Sequence, residues 1–143
     1  VSAALDALDR ELRGFRRRLR ESAPAWFAVG APPFATRGEL AFHVVRRTAA
    51  TAFGIEWPDR AVPDVPRLPD LSLADQLDVV ATDLLAVASG DEPVVARLLG
   101  ELLVHRQQLD GAAPGPAATA LVAELTGLAD PADWVAFCDA VAR

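Results

Sequence analysis

The chain of 143 residues has no lysine and no methionine, a single cysteine and only two histidines. Each shortage removes a class of function. Without lysine there is no Walker lysine for a phosphate loop, and neither G-x-G-x-x-G nor G-x-S-x-G occurs. The lone Cys138 excludes an internal disulfide framework and is expected of a reducing cytoplasm. Its place among apolar neighbours near the C-terminus predicts an inert core thiol. His43 and His105 stand 62 positions apart, and neither has a partner at the spacing of an H-E-x-x-H helix. Each is expected to be a partly buried helix residue, so no metal and no cofactor is expected. No apolar run reaches the ~18 residues of a membrane span. The first residues lack the charged-then-apolar pattern of a signal peptide. A valine start and the lack of methionine are expected of a chain whose initiator was removed or whose start was trimmed.

All 14 basic residues are therefore arginine. With abundant alanine and valine, this pattern is expected of a GC-rich genome, and it weakens any inference from arginine in place of lysine. The net charge is −6, but it is unevenly spread. Residues 1–47 carry nine arginines against five acids, a balance of +4, whereas residues 48–143 stand at −10. The two ends are expected to attract each other, within one chain or between copies.

Hydrophobic spacing reads as helix throughout, and the length is that of a single domain, 1–143, able to bury a core. Leu5, Leu8, Leu12, Phe15 and Leu19 form one seam of a first helix over 2–22, with Ser2 as its N-cap. A second helix starts at a capping box, Thr36 with Glu39, and is expected to end at Gly54. A third starts at Ser72 and carries Leu73, Leu77, Val80, Leu84 and Val87. A fourth, capped by Asp91, carries the broad face Val95, Leu98, Leu99, Leu102, Leu103 and Leu109, which predicts a central helix. Gly111 ends it. A fifth near 117–127 and a sixth from Asp130 complete the pattern, the last turning Trp134 and Cys138 inward. No strand and no internal repeat is predicted. The fold expected is all-α, a five- to six-helix bundle with a proline-rich extended crossover over residues 55–70.

That crossover holds Pro58, Pro63, Pro66 and Pro69. Its Val62, Val65 and Leu68 recur every third residue, which would put them on one side of a polyproline II segment laid along the helices. Residues 23–34, with Trp26, Phe27, Val29 and Phe34, are expected to plug the core or to form a contact surface.

The stretch GFRRRLR, residues 14–20, frames the functional question. Arg10, Arg13, Arg17 and Arg20 fall opposite the apolar seam. The plainest reading is the wet face of an amphipathic helix, with Asp6 and Asp9 each four residues ahead of an arginine. The same stripe also suits a protein contact, because the rest of the chain is acidic. Nucleic-acid binding is not expected, since the local +4 faces a distant −10 and no binding signature is present. The function expected is a non-enzymatic helical interaction protein acting in the cytoplasm as an adaptor, regulator or accessory subunit. Its contact residues are Arg10, Arg13, Arg17 and Arg20 with Trp26, Phe27 and Phe34, and its partner is another protein or a second copy in a homodimer. No catalytic residue and no membrane contact is expected. The alternative is a small-molecule site walled by Trp26 and Trp57. A small enzyme using His43 or His105 with nearby carboxylates is a third possibility.

Overall fold

The computed structural model describes residues 3–32, 34–89 and 93–111. The helices expected near 117–127 and from Asp130, with Trp134 and Cys138, lie outside the described residues, as do the caps Ser2 and Asp91. Among the described residues the chain is predominantly helical, with five helices and no strand. They are α1 (Ala3–Glu21), α2 (Pro24–Phe27), α3 (Arg37–Glu56), α4 (Leu73–Val87) and α5 (Pro93–Leu109). None is long and apolar enough to cross a membrane.

Each long helix buries most of the apolar face its spacing foretells, with Leu5, Val80 and Val87 only half-buried. Leu8, Leu12, Phe15 and Leu19 of α1 are buried against α4 and α5. Leu40, Val44 and Val45 of α3, and Leu73, Leu77 and Leu84 of α4, are fully buried. On α5, Val95, Leu98, Leu99, Leu102, Leu103 and Leu109 are all buried, which makes it the central helix its wide apolar face predicts. The substantial interfaces between long helices are α3 with α4, α1 with α5, α1 with α4 and α3 with α5. The order around the core is therefore α1, α4, α3, α5.

Ion pairs fix the directions. Arg16 and Arg20 of α1 meet Asp78 and Asp75 of α4, so these helices run antiparallel. Arg37, His43 and Arg47 of α3 meet Leu109, His105 and Glu101 of α5, again antiparallel. Glu11 and Arg18 of α1 meet Arg106 and Asp110 at the far end of α5, which makes that pair parallel.

α3 and α4 are likewise parallel, and the segment between them explains how. The 20 residues of α3 span about 30 Å at ~1.5 Å per residue. Residues 57–69 form no helix and return the chain to the start of α3, where Arg67 bonds Glu39 at 3.3 Å. Arg67 also bonds Asp70 at 2.6 Å. At ~3.1 Å per residue, such a stretch reaches roughly 40 Å, enough for the journey. Gly38 sits where it lands: a Cβ there would lie 2.5 Å from Asp70 Oδ1. Gln76 ties the arm to α4 by donating to the Pro66 carbonyl at 2.8 Å.

Several expected details differ. Ile55 and Glu56 belong to α3 and Asp70 to a short 3-10 turn, so the non-helical stretch is shorter than 55–70. The stop comes from Pro58, which pushes Trp57 out of helical geometry to φ −132° and ψ 67°. Gly54 is inside the helix, not at its cap. Of Val62, Val65 and Leu68, only Val65 packs on the core; Val62 is 47% exposed and Leu68 38%. Ser72 closes the 3-10 turn and makes no side-chain cap. Half of the capping box forms: Thr36 Oγ1 accepts from the Glu39 amide at 3.1 Å, while the Glu39 carboxylate turns to Arg67. Gly111 does end α5, with φ +67°.

Gly54 offers a direct check on this helix. A Cβ there meets nothing within 4 Å. Gly54→Ala is therefore expected to stabilise the protein by about 0.5–1 kcal/mol, because alanine loses less backbone entropy in a helix. A rise in the urea midpoint checks it; a fall would mean that α3 ends before Gly54.

Candidate functional site

The outward face of α1 is placed as its spacing foretells. Arg10, Arg13, Arg17 and Arg20 are all exposed. Their partners divide them. Arg13 pairs with Asp9 at 2.7 Å, one turn earlier. Arg20 crosses to α4 and holds Asp78 at 2.9 Å and Asp75 at 3.2 Å. Asp78, which also takes Arg16 at 3.0 Å, is held below the usual carboxylate range by its bonds to Arg20. Arg10 and Arg17 make no hydrogen bond or salt bridge among the described residues. The Asp6–Arg10 pair suggested by spacing does not form.

Arg10 and Arg17 lie two turns apart on one side of α1, roughly 10 Å along the axis. They rim a cleft of about 470 Å³ between α1 and α5. Arg18 and Arg106 complete the rim, with Phe15 and Leu109 at the base. Gly14, in its wall, leaves open space where a side chain would stand. Glu11 is the carboxylate among these four arginines, and its side chain is 15% exposed. Burial raises its pKa, opposed by Arg106 at 2.9 Å and by Arg10. Arg18 bonds Asp110, which holds that carboxyl low. Four guanidinium groups thus share two carboxylates, and the cleft is left cationic.

The aromatic residues expected beside the stripe are used by the fold. Phe27 is 1% exposed and has no surface to offer a partner. Trp26 is half-buried, with its ring edge-on to Phe27 at 5.1 Å and Arg37 and Arg18 over it at 4.9 and 5.5 Å. Phe34 is half-buried against two imidazoles. Trp26, Phe27 and Phe34 therefore plug the end of the core, whereas Val29 is 45% exposed.

The two tryptophans proposed as walls of one pocket do not meet. Trp26 lies by Arg37 at the start of α3, and Trp57 follows its last residue, about 30 Å away. Trp57 is 41% exposed and has Arg60 over its ring at 4.3 Å.

What spacing concealed is the meeting of the histidines. The antiparallel packing of α3 on α5 brings His43 and His105 to 5.0 Å between ring centroids, at 84°. Phe34 joins both rings at 5.1 and 5.6 Å. His105 is 1% exposed, and its Nδ1 lies 2.7 Å from Gln108 Oε1. With a carbonyl oxygen as acceptor, Nδ1 carries the proton and Nε2 is bare. That Nε2 is buried without a hydrogen-bond partner among the described residues. Burial lowers both pKa values, that of His43 to about 4, with His105 the second cause for His43. Next to them Glu101, buried at 2%, is gripped by Arg47 through two bonds of 3.0 and 3.2 Å and by Arg97 at 3.4 Å. Neither histidine lines the α1/α5 cleft. No group of three or more histidine, cysteine or acidic residues able to hold a metal occurs among the described residues.

The histidine stack has a pH consequence. Both folded pKa values lie below the unfolded value near 6.5, so the unfolded chain takes the proton first. Stability is intact above about pH 6.5 and falls as pH drops towards 4. Each neutral histidine contributes at most ~1.4 kcal/mol per pH unit, and the water reaching His43 reduces its share. The urea midpoint is expected to fall steadily from pH 7 to pH 4.5, and less steeply in His43→Phe, which keeps a ring in the stack. Equal slopes would mean that His43 is protonated alike in both states.

Comparison of the chain with protein-family models, curated proteins and solved structures finds no match.

Proposed function

We propose that this chain is a non-catalytic helical interaction protein, an adaptor, regulator or accessory subunit of the cytoplasm, built as a helical bundle with an extended crossover. It works by docking an acidic protein surface into the cationic α1/α5 cleft. The observation that carries this reading is the pair Arg10 and Arg17, exposed at the rim and without a hydrogen bond or salt bridge to any carboxylate among the described residues. Most other arginines are committed: Arg16, Arg18, Arg20, Arg47, Arg67, Arg97 and Arg106 each hold a carboxylate across or along the fold. Exposed cations left over in a protein of net charge −6 oppose its overall field and are suited to steering an anionic partner. Trp26, Phe27 and Phe34 are not among the contact residues of this reading, because they serve the core.

An immobilised acidic polypeptide, poly-glutamate, is the defined probe. At low salt the wild-type protein is expected to be retained despite its net negative charge. Arg10→Glu with Arg17→Glu should weaken retention at least tenfold with an unchanged circular-dichroism spectrum. Equal retention of both proteins would remove the cleft from consideration.

A further inference from the structure

The side of the molecule opposite the cationic cleft is its chemical complement. A groove of about 250 Å³ runs between α3, α4 and the arm, floored by Phe53, Val65 and Val80. Glu56, Asp64 and Asp83 stand around it, and among the described residues no arginine lines it. All three carboxylates are exposed, as is Asp59 beside Glu56, and none of the four has a cationic partner among the described residues. Arg46 is a nearby exposed cation on α3, and its guanidinium lies over Phe42 at 5.4 Å, nearer the start of the helix. Because the helices succeed one another as α1, α4, α3, α5, the α1/α5 cleft and the α3/α4 groove lie on opposite edges of the core.

We infer that the acidic surface received by the cationic cleft is the α3/α4 groove of a second copy, so that copies join head to tail. This rests on the contact reading above and supplies its partner. Charge complementarity selects this occupant: Arg10 and Arg17 of one copy face Glu56, Asp64 and Asp83 of the next, and neither set forms a salt bridge at home among the described residues. The placement also selects the symmetry. A two-fold dimer uses the same patch of both subunits, and it cannot engage opposite edges of both at once. Joining one cleft to one groove leaves a cleft and a groove unused, so the association continues into a ring or an open chain. This heterologous assembly differs from the homodimer expected from sequence.

Sedimentation velocity on the full chain tests this. At about 50 mM salt the weight-average mass is expected to rise with concentration beyond that of a dimer. At about 0.5 M salt, where charges are screened within a few ångströms, it should return to the monomer. Arg10→Glu with Arg17→Glu spoils the cleft and leaves the groove; Asp64→Arg with Asp83→Arg does the reverse. Each variant alone is expected to be monomeric, and an equal mixture to associate again, because the native cleft of one meets the native groove of the other and the two reversed sites are complementary as well. The neutral changes Arg10→Gln with Arg17→Gln and Asp64→Asn with Asp83→Asn leave one native contact only: each alone is expected to be monomeric, and an equal mixture to form a one-to-one dimer and nothing larger. A wild-type monomer at every concentration and salt overturns the inference, and so does a variant that still associates by itself. If such a monomer still binds poly-glutamate through Arg10 and Arg17, the self-contact fails while the contact function stands. If it binds neither, both fall.

Discussion

Arg47→Met is expected to cost about 3 kcal/mol of folding stability, more than any change at the exposed arginines of α1. The reason lies in Glu101. Its carboxylate is 3% exposed at the α3–α5 interface and takes two of its bonds from Arg47. Methionine keeps the aliphatic stem of the arginine and removes the charge. Glu101 then stays buried with only the 3.4 Å contact to Arg97. Losing one partner of a buried pair typically costs ~3–5 kcal/mol, and the surviving Arg97 places this case at the lower end. Removing both charges should be far milder. In Arg47→Met with Glu101→Leu no buried charge is left unpaired, so the double variant is expected to recover most of the loss. Chemical unfolding of the wild type, both single variants and the double variant gives the coupling directly. A coupling energy near zero would mean that water, not Arg47, satisfies Glu101.

Leu77→Ala is expected to be as damaging, at about 2–5 kcal/mol, from a cavity in place of a lost charge. Leu77 is fully buried on α4, the helix that packs on both α1 and α3. Truncation removes contact with both neighbours, and close-packed helices collapse only partly into the space. A domain of this size is stable by roughly 5–15 kcal/mol, so the loss is a large share. Val79, two residues along and 62% exposed, is the internal control. Val79→Ser should shift the urea midpoint hardly at all, within about 0.5 kcal/mol. A similar loss at both positions would put α4 in a different rotation about its axis.

The seams were legible because helical burial is periodic and the chain repeats leucine at spacings of three and four. The same periodicity turned Arg10, Arg13, Arg17 and Arg20 outwards. Ends were less legible. Gly54 reads as a stop, yet nothing around it demands a left-handed residue, and Pro58 does the stopping. The three-residue period of Val62, Val65 and Leu68 presumed close apolar contact along the arm. The arm is held instead by Val65, by Arg67 to Glu39 and Asp70, and by Gln76 to the Pro66 carbonyl. The histidine stack was invisible for another reason. It depends on which helices become neighbours and in which direction, and spacing within one helix carries neither. Glu101 was the available clue, a lone carboxylate set between Leu98–Leu99 and Leu102–Leu103. A charge on a face that apolar must carry its partner inside with it.

The arm also decides when this protein can take shape during synthesis. It returns the chain across the length of α3 before α4 begins, and α1 and α3 share no substantial interface. The first half of the chain therefore leaves the ribosome as two oily rods that have no use for each other. Both wait for α4 and α5 to arrive between them. Cutting the polypeptide within residues 57–69 should yield two pieces that are each unfolded alone and that regain helix only on mixing.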